Sequence, residues 1–376
     1  MFKIRSSLDE CVSMHGSCEI RNVEPAISYH KNAIYRPVDN YGSGYDPYEY
    51  WGLYDKHGIL ISEAAYRRSG DNSLVGQCET LPDEHMTTHD TITQECVYLG
   101  PLYHHYGHYL VTSLARCWYL LKNTKHKVVF HTYVDIEQLY EKPFIRQTFE
   151  ALGIQISDVV IPQRPTLFRK IIVPAPSFQE LSFAHDIHAT LCRKIGSQLS
   201  KEARFKSNEP VFLSKEKLES GVWRFTNENI LCSDLHKRGV RIIHPEHLSF
   251  VEQIDLFNRH QNIIGIAGSG LHTSLFAANP NNLLGLNFES HIPSNFKLID
   301  GICHNHSKYV YPKISSRVTD NLPFQRSHSF DDVNGVAESL NLEIRQLEYL
   351  PTPSKNPRVK RAGYWARLRS RLMARR

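Results

Sequence analysis

The sequence predicts an α/β protein made of two units in which strands and helices alternate. Short apolar runs typical of buried strands alternate with amphipathic helical patterns over residues 107–174, and again from Pro210 onward. This alternation favours parallel sheets with helices on their faces. The 376 residues, of which 41% are hydrophobic and 22% charged, are enough for two cores.

The N-terminal unit follows a loop-rich start. Residues 1–100 are rich in tyrosine, glycine and aspartate and show weak periodicity. Farther along, the spacing of Leu110, Leu114 and Leu121 places apolar side chains on one helical face. The expected strands are 33–36, 59–61, 127–133 and 170–174, and the expected helices are 107–122, 136–152 and 183–205.

The C-terminal unit is predicted to be Rossmann-like. Ser249 and Glu252 form a capping box that predicts the start of one helix. The expected strands are 211–214, 240–243, 263–266 and 283–286, and further helices are expected at 227–238 and from the glycine turn to 278. We therefore predict an N-terminal α/β domain at 1–180, a linker helix at 181–208, a nucleotide-binding domain at 209–350 and a basic tail at 351–376.

A glycine turn after an apolar strand predicts an anion site. The turn Gly268-Ser269-Gly270 follows the run 263–266, and a helical pattern begins at once. This geometry directs backbone N–H groups at an anion, and in an α/β protein that anion is commonly phosphate. A purely structural turn also needs glycine, so both interpretations stay open here.

Three histidines lie at the predicted start of the helix 107–122. His104, His105 and His108 occur within five residues, flanked by tyrosines. Histidine titrates near neutrality and is a ready general base. The spacing does not match a zinc site, and packing or capping at a helix start is the alternative interpretation.

Several common nucleotide and metal motifs are missing. The turn does not match Gly-x-Gly-x-x-Gly, and neither a P-loop nor an Asp-x-Asp sequence occurs. If a diphosphate leaves during the reaction, cationic side chains and backbone N–H groups must neutralise it. Lys215 and Arg224 are the candidates, because both follow the strand ending at Ser214, although either could be an ordinary solvated residue.

Composition restricts the partners and the compartment. Eight cysteines are scattered without a Cys-x-x-Cys pair, which is typical of reduced thiols. No signal peptide or membrane span is visible, so a cytoplasmic location is expected. Nine of the 44 basic residues lie in 355–376, a segment without acidic residues, so the rest of the chain is mildly acidic and a nucleic-acid partner is not expected.

The basic tail has the pattern of an interfacial helix. Tyr364, Trp365, Leu368 and Leu372 fall on one helical face, and arginines lie on the other. That arrangement is attracted to anionic lipid, so residues 358–376 are expected to bind a membrane surface. A disordered tail or a helix bound to a partner protein remains an alternative.

The order of these motifs resembles glycosyltransferase family 61, the DUF563 group. The resemblance covers roughly residues 95–290 and rests on five segments: Tyr106-Gly107-His108-Tyr109-Leu110, Val211-Phe212-Leu213-Ser214-Lys215, Arg224-Phe225-Thr226-Asn227-Glu228, Gly239…Pro245-Glu246 and Gly265-Ile266-Ala267-Gly268-Ser269-Gly270-Leu271. It implies a GT-B fold of two facing Rossmann-like domains and inverting sugar transfer without an essential metal or cofactor. The family often has Asn, Arg and His where His105, Lys215 and Ala267 stand.

The resemblance leads to a set of expected site residues. We expect His108 to be the base, Arg224 and Lys215 to stabilise the leaving diphosphate, and His104 and His105 to lie on the acceptor side. The remaining expected donor contacts are Ser214, Asn227, Glu228, Gly268, Ser269, Gly270 and His272. The donor is expected to be a UDP-sugar, and the acceptor a surface glycan or lipid-linked glycan of the bacterial capsule type at the inner membrane face. The alternatives are a pyruvyl or phosphoryl transferase and an inactive, membrane-docked assembly partner.

Overall fold

The computed structural model describes residues 6–38, 50–68, 72–122, 126–201, 203, 205–218, 223–319 and 326–348. The protein is a mixed α/β structure with several sheets. The tail and its predicted membrane-binding helix lie outside the described residues. Within the described part of the chain, no helix is long and apolar enough to cross a membrane.

A six-stranded sheet organises the C-terminal half. Across the sheet its strands are Leu8–Glu10, His306–Pro312, Asn282–Leu286, Asn262–Ile266, Val211–Leu213 and Arg241–Ile243. All neighbouring pairs are parallel except that of Leu8–Glu10 with His306–Pro312. The three central strands are buried along their whole length, which explains their continuous apolar sequences.

A five-stranded sheet organises the N-terminal half. Across this sheet the strands are Val159–Val160, Lys127–His131, Cys96–Pro101, Ile171–Pro174 and Ile27–His30. Only Ile27–His30 runs antiparallel to its neighbour. The predicted parallel α/β character is therefore present in both halves, while part of the N-terminal chain crosses over, because Leu8–Glu10 pairs in the C-terminal sheet.

Smaller sheets and helices complete the fold. The other strands are Ser13–His15, Glu19–Arg21, Ala33–Arg36, Gly52–Tyr54, Asp90–Ile92, Thr166–Phe168, Phe178–Gln179, Phe183–His185, Trp223–Phe225, His291–Pro293, Ser315–Val318 and Arg326–Phe330. The α-helices are Tyr106–Val111, Ile136–Tyr140, Pro143–Ala151, Asp186–Leu199, Glu228–Lys237, Phe250–Arg259, Ser269–His272, Ser294–Cys303 and Val333–Glu348. The 3-10 helices are Ser62–Ala64, Asp83–His85, Ser113–Leu121, Ile156–Asp158, Pro245–His247 and Thr273–Phe276.

Several predicted helices are shorter or interrupted. The helix expected at 107–122 is α-helical only to Val111 and continues as a 3-10 helix. The helix expected at 136–152 is divided before Pro143, which begins a new helix because proline fits the first helical position. The expected strand 59–61 is wrong, since this segment makes only isolated bridges.

The predicted linker helix begins later than expected and belongs to a core. Residues Phe183–His185 form a strand, and the helix Asp186–Leu199 follows. Leu191 and Ile195 of this helix share one hydrophobic cluster with Leu110 and with Leu275. This segment is therefore packed between elements of both halves, and the domain boundaries stay a prediction.

Candidate active site

A cleft opens at the carboxyl edge of the C-terminal sheet. Its cavity volume is about 350 Å³. The wall formed by the C-terminal half contains the ends of two strands, Leu213 and Ile266, and segments that follow the strands, and the opposite wall contains Tyr106, Pro143 and Phe144. Most side chains that line it are apolar, so the cleft suits a ligand with an apolar part and a small number of polar groups.

The strand order explains why the cleft lies there. Val211–Leu213 stands between Arg241–Ile243 and Asn262–Ile266, although Arg241–Ile243 comes between them in the chain. The chain therefore runs outward from Val211–Leu213 to Arg241–Ile243 and then crosses back to Asn262–Ile266 on the other side. Open α/β sheets bind ligands at such a reversal, beyond the carboxyl ends of the strands.

The expected glycine turn and Lys215 meet at this reversal. Ser214, Lys215, Ser269 and Gly270 line the cleft, as the sequence predicts for a donor site. Lys215 Nζ donates to the Ala267 carbonyl at 2.9 Å. A Cβ at Gly268 would overlap Lys215 Nζ, so a larger residue there would force the flexible lysine side chain to move.

Lys215, which lines the cleft, lies beside the buried Glu228, and its backbone N–H donates to Glu228 Oε1 at 2.8 Å. Burial lowers the pKa of Lys215 to about 8, while the Glu228 charge opposes that change. Burial also raises the pKa of Glu228 to about 7. Hydrogen bonds from the Lys215 N–H and the Ser214 hydroxyl, together with the charge of Lys215, act in the opposite direction. Both groups can therefore change protonation near neutral pH, when a bound anion alters the local charge.

The helix that follows the turn is short. The sequence pattern predicts one helix to 278, but Ser269–His272 is a single α-helical turn and Thr273–Phe276 is a 3-10 helix. Pro280 follows closely, and the residue before a proline disfavours α-helical backbone. Backbone N–H groups of the turn, rather than a long helix dipole, are the polar groups available here.

His108 forms part of a partly buried polar cluster beside the cleft. Its Nδ1 lies 3.1 Å from Glu180 Oε1, and Thr112 Oγ1 donates to the same oxygen at 2.7 Å. Burial alone would raise the pKa of Glu180, but hydrogen bonds from His108 and Thr112 and the charges of His108 and Arg68 hold it at about 2. Glu180 is therefore ionised at neutral pH.

Arg68 completes the cluster on the other side of the ring. Its Nη2 lies 2.9 Å from His108 Nε2, and its Nε lies 3.5 Å from Glu180 Oε2. Because a guanidinium only donates hydrogen bonds, His108 Nε2 accepts and Nδ1 carries the proton directed at Glu180. These two contacts therefore specify which nitrogen carries the proton when the His108 ring is neutral.

The three predicted histidines lie together. The His105 ring lies 5.2 Å from that of His108, and the exposed His104 makes an edge contact with Tyr133. Burial, with the nearby charges of His108, His104 and Arg68, lowers the pKa of His105. The structure thus brings the cluster together around the first turn of Tyr106–Val111, and His105 remains neutral at pH 7.

Direct contacts join the histidine helix to the glycine turn. Tyr106 and Thr273 share a hydrogen bond of 2.9 Å between their hydroxyl groups. A Cβ at Gly107 would lie 3.3 Å from Ser269 Cβ, so the two segments touch. His108 does not line the cavity itself, but its helix begins at the cavity wall through Tyr106.

His272 lies between the two polar clusters. Burial lowers its pKa to about 4, and charges on Glu180, Lys215 and His108 also act on it. Neither ring nitrogen has a hydrogen-bond partner, and the ring packs edge-on against Phe296 at 4.7 Å. The expected donor contact is therefore a neutral, buried imidazole close to both walls.

Arg224 and Asn227 are directed elsewhere. Arg224 does not line the cavity, and its Nε donates to Ser327 Oγ at 3.0 Å. Asn227 Nδ2 donates to the Phe330 carbonyl at 2.9 Å, and Asn227 Oδ1 accepts from the Phe330 N–H at 3.0 Å. Both side chains therefore support the small sheet containing Trp223–Phe225 and Arg326–Phe330, and a direct donor contact from either stays a prediction.

Glu180 and Arg68 are the site residues that the sequence did not reveal. Glu180 lies 72 positions from His108, and Arg68 lies 40 positions from it. Neither residue belongs to a recognisable motif, so only the three-dimensional structure identifies them. Within the described ranges, no group of three or more His, Cys, Asp or Glu residues could hold a metal ion.

The comparisons with known proteins identify one family. Residues 106–284 match the model of the Glycosyltransferase 61 family, a range that begins at the histidine helix and includes the glycine turn. No curated protein matches the chain. The match over these residues supports a transferase enzyme, a glycosyltransferase.

Proposed function

We propose that this glycosyltransferase uses a nucleoside-diphosphate sugar, with UDP-sugar as the first donor to test, and transfers the sugar with inversion and without a metal. The proposal assigns the donor to the cleft between a GT-B-like pair of lobes. The observation that carries it is the convergence of Lys215, the 268–270 turn and the histidine helix at the sheet reversal. The apolar part of the cleft would accommodate the base and sugar.

The reaction is a single displacement at the anomeric carbon. The acceptor hydroxyl gives its proton to His108 Nε2, its oxygen forms the new bond to the anomeric carbon, and the bond to the diphosphate breaks. The electron pair of that bond leaves on the diphosphate oxygen. A positioned general base typically contributes about 10²–10⁴-fold to the rate of such a step.

Lys215 and the turn are assigned to the leaving group. The Lys215 ammonium is partly buried and donates to the Ala267 carbonyl, although an ammonium can donate three hydrogen bonds. A diphosphate nearby would favour its charged form and accept from the turn's N–H groups. Ser214 and His272 are the proposed flanking contacts, and Glu228 sets the charge of Lys215.

The acceptor and location are proposed on less direct grounds. We assign a growing surface glycan or lipid-linked glycan to the His104–His105 side, as the resemblance implies. Residues 358–376 would hold the enzyme at an anionic membrane surface, at the inner face in a bacterium. Liposome flotation with and without residues 351–376 tests the membrane assignment separately from catalysis.

A nucleotide experiment tests the proposed donor. Isothermal titration with UDP, GDP, ADP and the matching monophosphates should show one preferred diphosphate, and donor sugars bearing it should slowly release it. Lys215→Met should weaken that binding, whereas Lys217→Met, two positions away with an exposed side chain, is the matched control. Absence of binding by all nucleotides, with the wild type folded, would refute the donor assignment.

A further inference from the structure

The residues around Glu180 keep it ionised and place it beside His108, the proposed base. The Glu180 side chain is only 6% exposed, and it is surrounded by His108, Thr112 and Arg68. A buried carboxylate without such partners would be protonated, because burial disfavours charge. Its ionised state therefore depends on the groups that the fold places around it.

The two nitrogens of His108 have different partners. Nδ1 is held by Glu180, so the ring cannot rotate without breaking a buried hydrogen bond. Nε2 is held by Arg68, whose side chain is 36% exposed and lies on the more accessible side of the cluster. One partner is thus buried, and the other is partly exposed.

We infer that Glu180 is the positioning residue for His108 and that Arg68 caps His108 Nε2 until an acceptor hydroxyl displaces it. This inference rests on the proposed function, because it assigns a base role to His108. In the resting enzyme the cap prevents Nε2 from activating water, which would waste the donor by hydrolysis. When the acceptor hydroxyl replaces Arg68, its proton moves to Nε2 and the imidazolium is stabilised by the Glu180 carboxylate.

The first test replaces the carboxylate. Glu180→Gln should reduce sugar transfer by about 10²–10⁴-fold, because an amide can hold the wrong tautomer and gives the imidazolium no counter-charge. Glu180→Asp should recover part of the rate. Glu343→Gln is the matched control, because it removes the carboxylate of another half-buried ion pair, with Lys308, and should leave the rate unchanged.

A pH profile separates positioning from mere structural support. The titratable or charged groups that face His108 are Glu180, Arg68, His105, Tyr103 and His272. In Glu180→Gln the acidic limb of the pH–rate profile should move to lower pH by about one pH unit. A rate loss with an unmoved limb would overturn the inference.

The second test removes the cap. Arg68→Met should increase donor hydrolysis by water severalfold relative to transfer, whereas Arg67→Met, which loses only a contact with the Asn72 carbonyl, should not. An equal loss of hydrolysis and transfer in Arg68→Met would overturn the capping role. Nucleoside-diphosphate affinity should stay unchanged in the Glu180 and Arg68 variants, so a failure here is distinguishable from a failure of the proposed donor site.

Discussion

Each of the two polar clusters beside the cleft contains a buried glutamate, and the pKa values of these two glutamates are shifted in opposite directions. Glu180 has a pKa of about 2, because His108, Thr112 and Arg68 overcome the cost of burial. Glu228 has a pKa of about 7, because burial outweighs the help from Lys215 and Ser214, and its Oε2 has no partner. Burial alone therefore does not determine the charge of a carboxylate; the number of groups that donate to it does.

This difference separates two chemical tasks. The fixed charge of Glu180 suits a group that must hold one imidazole tautomer through a reaction. The Lys215–Glu228 pair has pKa values of about 8 and 7, so its charge responds to what binds in front of it. We expect variants of the first cluster to change the rate of transfer and variants of the second to change donor affinity.

The largest effect is expected at His108. His108→Gln removes the proposed base and should reduce the transfer rate by about 10²–10⁴-fold, with donor affinity nearly unchanged. Steady-state kinetics together with nucleotide titration measures both quantities. A retained rate with the same pH profile would exclude His108 as the base and remove the proposed distinction between the clusters.

The second-largest expected effect is a dependence of donor binding on pH. Because the pKa of Lys215 is lowered to about 8, its charge is lost as pH rises through 8, while Glu228 becomes negative above about 7. Both changes disfavour an anion, so nucleoside-diphosphate affinity should fall between pH 6.5 and 9 by about tenfold or more. Lys215→Arg should flatten the part of this curve due to Lys215, because arginine stays charged. An affinity constant across that range would contradict the assignment.

A smaller effect is expected for the stability of Glu228 variants. Burial raises its folded pKa from the usual value of 4.5 to about 7, so folding favours the protonated form and stability is lost as pH rises through this window. Glu228→Gln should therefore stabilise the protein at pH 8 relative to pH 5, by on the order of 1–3 kcal/mol. Chemical denaturation at both pH values measures it, and an equal effect at the two pH values would be the contrary result.

The smallest effect is expected at Arg224. The sequence prediction that it stabilises the leaving group requires a loss of about 10²–10³-fold in Arg224→Ala. Since its guanidinium donates to Ser327 and does not line the cavity, we expect a much smaller loss of transfer. A loss of the full size would show that Arg224 reaches the donor during the reaction, and the leaving-group wall would then extend beyond Lys215.

The sequence predicted the elements whose signals are local. The capping box of Ser249 and Glu252 is present with both hydrogen bonds, and the apolar runs of the C-terminal sheet are strands. The glycine turn and Lys215 meet as expected, because both follow strands whose carboxyl ends share one edge of the sheet. The free thiols were also predicted, and five of the eight are buried.

The sequence analysis did not predict the pairings between residues that are far apart in the chain. Nothing near Glu180 indicates that it faces His108, and the strand Trp223–Phe225, which directs Arg224 to Ser327, has its partner more than a hundred positions later. Residues 183–185 show the same limit, because their pairing with Phe178–Gln179 and Glu19–Arg21 replaces the expected helix. Tertiary contacts override local propensity at these places.

The central claim is that one wall of the cleft binds the donor diphosphate and the other handles the acceptor proton. Measuring nucleoside-diphosphate affinity in Lys215→Met and Glu180→Gln side by side tests it most directly. The account predicts a loss of about tenfold or more in Lys215→Met and a change of less than about twofold in Glu180→Gln. Equal weakening in both variants, or unchanged binding in Lys215→Met, would contradict it.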